Sequence, residues 1–231
     1  MKIQLGLFVA LSLSLAVSAR ADQTRTDVVE RLQSGTTVLH QMMNTPDKGI
    51  PDEVLKGAKC IAVVPGLLKG GFIIAGQHGR GVATCRLPKG TWSAPAFFSI
   101  SGGSWGAQIG VESVDLIMMV MTDEGMRHLM SDKFQIGGTV SAALGPIGRH
   151  AAAGTDWKVD TQILTYSRAK GLFAGIDLGG SVVERDKDST VALYRKDVTT
   201  SAVLDGEVPT PAAARPFLAE VRQAKSIAAH K

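Results

Sequence analysis

The residues of this chain that could do chemistry gather around its glycines. Residues 100–110 read ISGGSWGAQIG, in which Gly102, Ser104 and Gly106 spell G-x-S-x-G. In many hydrolases that pattern lifts a nucleophilic serine out of a sharp strand-to-helix turn, where a general base can take its proton. Ser104, then Asp115 or Asp123, then His128 or His150 follows the chain order of such a triad. The stretches after Ser104, however, are Gln108 to Ser113 and Asp115 to Met121, and both read as strands, whereas an elbow needs a helix directly after the serine. With five histidines and 21 acidic residues the order also arises easily by chance. The glycines are therefore read as tight backbone geometry in a sheet beside Trp105, and a serine hydrolase at Ser104 stays as the weaker alternative.

Other chemistries find less support. No G-x-x-x-x-G-K-[ST] is present, and no glycine run opens a helix after a strand, which argues against a nucleotide fold. Cys60 and Cys85 lack paired neighbours and His78, His128 and His150 lack ligand spacing, so neither a metal nor a cofactor is expected. Asp186 and Asp188, in ERDKDST, read as a solvated turn. What remains is a set of cations next to glycine or in glycine-rich stretches: Lys69 in LLKGGF, Arg80 in HGRG, Arg86, Arg149 in GPIGRH, and Arg168 with Lys170 in YSRAKGLFAG. Lysine or arginine beside free backbone N–H groups suits a phosphate. The alternative is ordinary solvated charge at strand ends.

Those residues need a scaffold, and the texture of the chain describes one. From Asp22 to Asn44 the apolar residues Val28, Val29, Leu32, Leu39, Met42 and Met43 recur at helical spacing. Their stripe has two possible destinations, the domain core or a membrane surface. A short helix is predicted over Pro51 to Ala58. After Lys59 come short apolar runs broken by Gly, Pro and Ser, which are strands in close succession and imply an antiparallel sheet. Leu87-Pro88-Lys89-Gly90 is a turn sequence. A helix is predicted at Asp123 to Met130 with Thr122 as its cap, further strands at Thr139 to Ala143, Thr161 to Ser167 and Leu172 to Glu184, and a last helix from Arg215 to Ala229. No fixed period recurs, which excludes solenoids and propellers.

The first 21 residues read as a secretory signal: Lys2, an apolar stretch from Leu5 to Val17, and Ala19-Arg20-Ala21 as a cleavage site. The expected mature N-terminus is Asp22, and the expected location is periplasmic or secreted. Removing Lys2 and Arg20 lowers the formal charge from +4 to +2. That near-neutral balance does not favour a nucleic-acid partner, and any anion binding must rest on local clusters. In an oxidising compartment Cys60 and Cys85 can form a disulfide or stay as two buried thiols, and spacing alone does not choose.

The stretches PDKGIP, LLKGGFIIAGQHGRGVA, GTWSAPAFFSISGGSWGAQIG, SVDLI, GPIGR and YSRAKGLFAGIDL, followed by Tyr194, resemble the SYLF-domain family across about Val28 to Phe217. The resemblance implies one non-catalytic domain over residues 22–231 that recognises membrane lipid, phosphoinositides in eukaryotic members, and binds actin in fungal members. It places Lys69, Arg80, Arg149, Arg168 and Lys170 in family motifs. Unlike eukaryotic members that carry an SH3 domain, this sequence shows an export signal and no such module, so anionic phospholipid is the ligand that carries over. The expected fold is α+β: a glycine-rich antiparallel β-sheet, barrel or sandwich, with an N-terminal amphipathic helix, a short mid-chain helix and a C-terminal helix. The expected function is lipid binding at a membrane surface; an envelope protein-interaction or structural module is the main alternative.

Overall fold

The computed structural model describes residues 4–45, 49–71, 74–105, 110–147 and 161–229. The four longest strands are β1 (Cys60–Gly71), β2 (Ile74–Cys85), β3 (Ala96–Trp105) and β4 (Gly110–Val120). Their Val, Ile, Ala, Phe and Met residues alternate between two buried faces. Ala62, Val64, Ala83, Cys85, Phe98, Ile100, Leu116 and Met118 point into one core, while Ile61, Val63, Val82, Phe97, Ile117 and Met119 point into another. A strand buried on both sides reads as a nearly continuous apolar run, which is how these stretches look in the sequence.

Five short strands extend the sheet: β5 (Lys133–Gln135), β6 (Ala142–Leu144), β7 (Ile163–Ala169), β8 (Leu172–Ala174) and β9 (Val182–Arg185). The order is β5-β9-β3-β2-β1-β4-β7-β6, with β8 on β7. Phe134 of β5, Val183 of β9 and Ile163 of β7 come from opposite ends of this order yet share the first core. The sheet is therefore curled around that core as a half-barrel, which resolves the expected choice between barrel and sandwich. At Gly81 strands and side chains come so close that a β-carbon would lie 2.2 Å from the Phe98 ring.

Helices complete both cores. The second face is covered by α1 (Gln4–Met43), α2 (Asp52–Gly57), α4 (Lys187–Tyr194) and α6 (Arg215–Ala229). α3 (Asp123–Met130) and α5 (Thr200–Leu204) add Leu129, Val203 and Leu204 to the first core. The Thr122 hydroxyl accepts from the Gly125 N–H at 3.0 Å, which caps α3 as the sequence predicts.

Several expectations are corrected. The sheet is not wholly antiparallel, because β6 pairs parallel with β7. The expected strand over Leu172 to Glu184 is two, β8 and β9, parted by Gly175 to Ser181. Thr139 to Ala143 contributes only β6 and a bridge between Ile136 and Val140. ERDKDST is not a solvated turn: Asp186 caps α4 and is partly buried.

Cys60 and Cys85 stand opposite each other in the β1–β2 ladder and form a fully buried disulfide, Sγ–Sγ 2.04 Å. The bridge closes a loop with a sequence separation of 25 residues. Replacing both cysteines with alanine is expected to lower the unfolding free energy in urea by about 3 kcal/mol, through the freedom returned to the unfolded chain. An unchanged midpoint would show that the bridge does not constrain that state.

Candidate functional site

Of the cations singled out in the sequence, Lys69, Arg168 and Lys170 lie towards one end of the sheet, Arg80 lies further back on β2, and Arg86 follows β2 at the other end. β3 pairs with β9 only from Phe98 to Ser101, and β4 pairs with β7 only from Val114 onward. Gly102–Trp105 and Gly110–Ser113 therefore run past their flanking strands, and the ends of β1 and β2 run between them. This four-stranded projection is rich in glycine and serine.

Lys69 is half-buried on the projection, opposite Gln77 of β2 and Glu112 of β4. Its face is set by a bulge. Gly66 takes φ +61°, and the register of β1 shifts between Val64 and Leu67. One extra residue reverses the alternation that follows, so Lys69 falls in register with the inner face while its neighbour Leu68 pairs on the outer one. Arg80 is exposed on the helix-bearing face of β2, opposite Ser99, and close enough to Arg31 of α1 for their charges to interact. Lys170 is exposed in the β7–β8 turn, in the left-handed conformation at φ 50°. Among the described residues none of Lys69, Arg80 and Lys170 has a carboxylate within ion-pair distance.

Arg168 has a different setting. Its guanidinium donates to Asp115 at 3.2 Å and to the Gln41 side chain of α1. Asp115 also accepts from the Gly66 N–H at 3.2 Å. Arg168 thus ties the bulge, β4 and the end of α1 together. Arg149 lies outside the described residues. The described cations do not converge on one pocket: Lys69 is on the inner face of the projection, Arg80 on the opposite, helix-bearing face of β2, and Lys170 in the β7–β8 turn.

Arg31, which the sequence reading does not single out, and Arg86, which it does, are structural. Arg31, buried under α1, pairs with Asp186 at 3.0 Å, bonds the Ser189 hydroxyl at 3.1 Å and lies over the Phe97 ring. Burial alone pushes the Asp186 carboxyl upward, but the hydroxyl and backbone N–H of Ser189, together with Arg31, outweigh it and hold it below the usual carboxylate range. Arg86 lies over the Trp92 ring and donates to the Leu55 carbonyl at 3.3 Å; burial lowers its pKa. It lines a groove of about 450 Å³ with Lys59, Asp123, Met126, Met130 and Asp205.

No nucleophile elbow forms at Ser104, because the strand continues through Trp105 and the next described element is β4. β4 is 11 residues long, so α3 with Asp123 and His128 begins roughly 30 Å further along the sheet. Asp123 pairs with Lys59 at 2.7 Å, Asp115 serves Arg168, and the His128 ring stands beside Phe134. His150 lies outside the described residues.

A glycine-rich sheet curled round its own core, backed by helices from both ends of the chain and carrying cations at one end, is the class of domain these features define. A family model described as Ysc84, Las17-binding protein actin regulator, matches residues 101–224, more than half of the chain. The chain belongs to this Ysc84 family, in agreement with the SYLF resemblance. It is 39% identical over 171 residues to SH3 domain-containing protein PJ696.02 of Schizosaccharomyces pombe, covering 73% of this chain and 40% of the relative. It is 36% identical over 175 residues to protein YSC84 of Saccharomyces cerevisiae, covering 74% and 37%. It is also 36% identical over 172 residues to SH3 domain-containing YSC84-like protein 1 of Rattus norvegicus, covering 74% and 50%. The chain thus spans half or less of the length of these relatives.

Proposed function

We propose that this domain binds anionic phospholipid at a membrane surface, without catalysis, in the periplasm or outside the cell. The observation that carries the reading is that Lys69 on the inner face of the projection, Arg80 on the helix-bearing face and Lys170 in the β7–β8 turn have no ion-paired carboxylate among the described residues. An unpaired lysine or arginine close to an anionic surface contributes about 1 kcal/mol to binding. The Cys60–Cys85 disulfide supports an exported location. Phosphate oxygens are the expected contact atoms, and the scaffold does the positioning: the Gly66 bulge turns Lys69, and the β7–β8 turn holds out Lys170.

The test is sedimentation of the chain from Asp22 onward with phosphatidylglycerol-containing and purely phosphatidylcholine vesicles. Neutralising Lys69, Arg80 and Lys170 together to glutamine is expected to weaken binding to the anionic vesicles by tenfold to over a hundredfold at low salt. Binding should also fall as salt rises, as the Debye length shrinks from about 10 Å at 0.1 M to about 3 Å at 1 M. A folded triple variant that binds as tightly as the wild type sinks the charge-based site. If the wild type binds neither vesicle, an envelope protein-interaction module becomes the better reading; the family description, which names a Las17-binding actin regulator, points to protein partners among its relatives.

A further inference from the structure

The projecting end of the sheet and the strand beside it expose large apolar side chains as well as cations. Val111 of β4 is 80% exposed, Leu172 of β8 73% and Leu68 of β1 52%. Leu68 is opposite Ser113, and Val111 is two residues from Ser113 and opposite Gly70. Leu68 and Val111 are therefore diagonal neighbours on the outer face of the sheet, about 7–8 Å apart, close enough to act as one patch. Leu172 pairs with Ala169, which pairs with Val114, which pairs with Leu67. It thus stands at nearly the same height as Leu68, beside Lys170.

Around the patch the projection carries few side chains. Gly70, Gly76 and Gly103 share the cross-strand row with Val111, and Ser101, His78 and Ser113 share the row with Leu68. This makes a thin wedge with Leu68 and Val111 on its outer face and Lys69 on its inner one. Glu112 is the one acidic residue among the described part of the projection.

We infer that this end of the sheet inserts into the interfacial region of an anionic bilayer, with Leu68, Val111 and Leu172 entering between the headgroups and Lys69 and Lys170 held at the level of the phosphates. The inference rests on the lipid-binding reading above and adds the face and the depth. Charge selects the occupant: cations flanking exposed aliphatic residues match a surface whose outer layer is anionic and whose next layer is apolar. The amphipathic helix α1 is not available for this role, because its stripe is buried against the sheet. Adsorption by charge alone vanishes in high salt, whereas insertion leaves a salt-resistant part.

Two measurements on the chain from Asp22 onward test the inference. A Val111→Cys variant carrying a nitrobenzoxadiazole label, kept under non-reducing conditions, is mixed with vesicles of phosphatidylglycerol and phosphatidylcholine; a blue shift and quenching by brominated acyl chains are expected. The Leu68→Ser, Val111→Ser, Leu172→Ser variant alters only exposed side chains and is expected to keep its thermal midpoint. It should bind the same vesicles at least about tenfold more weakly and lose the salt-resistant fraction. If vesicles are bound but the label does not respond and the serine variant binds as the wild type, insertion is overturned while headgroup binding stands. Binding to no vesicle overturns both. Concentration-dependent dimerisation that the serine variant abolishes, with no label response to lipid, assigns the patch to a second copy and overturns the inference.

Discussion

Val28→Ser, Leu32→Ser and Leu39→Ser introduced together are expected to unfold the domain. All three side chains are buried to within 1% of full coverage, in the core between α1 and the sheet. Each substitution removes an apolar side chain from a packed site and leaves a hydroxyl in its place, at a cost of roughly 2–4 kcal/mol. Three such costs reach the 5–15 kcal/mol that separates a typical folded domain from its unfolded chain. Far-ultraviolet circular dichroism and urea titration check this. A variant that stays folded with its midpoint intact but no longer sediments with vesicles would return the stripe to the membrane. The two destinations open for this helix in the sequence thus lead to opposite outcomes in one experiment, and the burial of Val28 and Leu39 favours loss of the fold.

Asp186→Ala is expected to cost about 3–5 kcal/mol, because it leaves the Arg31 guanidinium buried without its carboxylate. It also removes the acceptor for the Ser189 N–H at the start of α4. The double variant Arg31→Met, Asp186→Leu should recover most of the loss, since packed apolar groups replace a buried pair at little net cost. Recovery of nothing would assign the effect to the cap. The same pair makes stability depend on acid. The folded-state pKa of Asp186 is depressed, so its contribution is fully present above the ordinary aspartate pKa of about 3.9 and is lost as pH falls through the folded value. The wild type should lose stability over that interval more steeply than the double variant.

Asp186 also shows where sequence reasoning stops. ERDKDST looks solvated because its charges stand together, and the residue that neutralises Asp186 lies 155 positions away. By contrast α3 and α6 are legible to the residue, since a threonine cap and a helical apolar spacing are local signals. The stretch from Gly175 to Ser181 keeps a period of two, with Ile176 and Leu178 buried and Asp177 and Gly179 exposed, but its backbone has no ladder partner. Alternation records burial, and only pairing makes a strand. Among the candidate site residues, Lys69, Arg80 and Lys170 are readable one at a time. Their faces are not, because the Gly66 bulge reverses the alternation that places Lys69. The aliphatic patch of Leu68 and Val111 is hidden because each belongs to a run that otherwise reads as core.

The packing of α1 against α6 has a consequence for how the molecule comes to be folded. Gly35 lets α1 lie so near the neighbouring elements that a β-carbon there would be 3.2 Å from Val82 and 3.6 Å from Phe217, and His40 meets Glu220 at 3.0 Å. The paired residues His40 and Glu220 are 180 positions apart, so α1 leaves the ribosome long before α6. The half-barrel can assemble from hairpins while synthesis continues, but one wall of its second core stays open until residues near Phe217 emerge. Commitment to the native state consequently waits for α6, and until that helix is made the stripe on α1 is a sticky, unsatisfied surface.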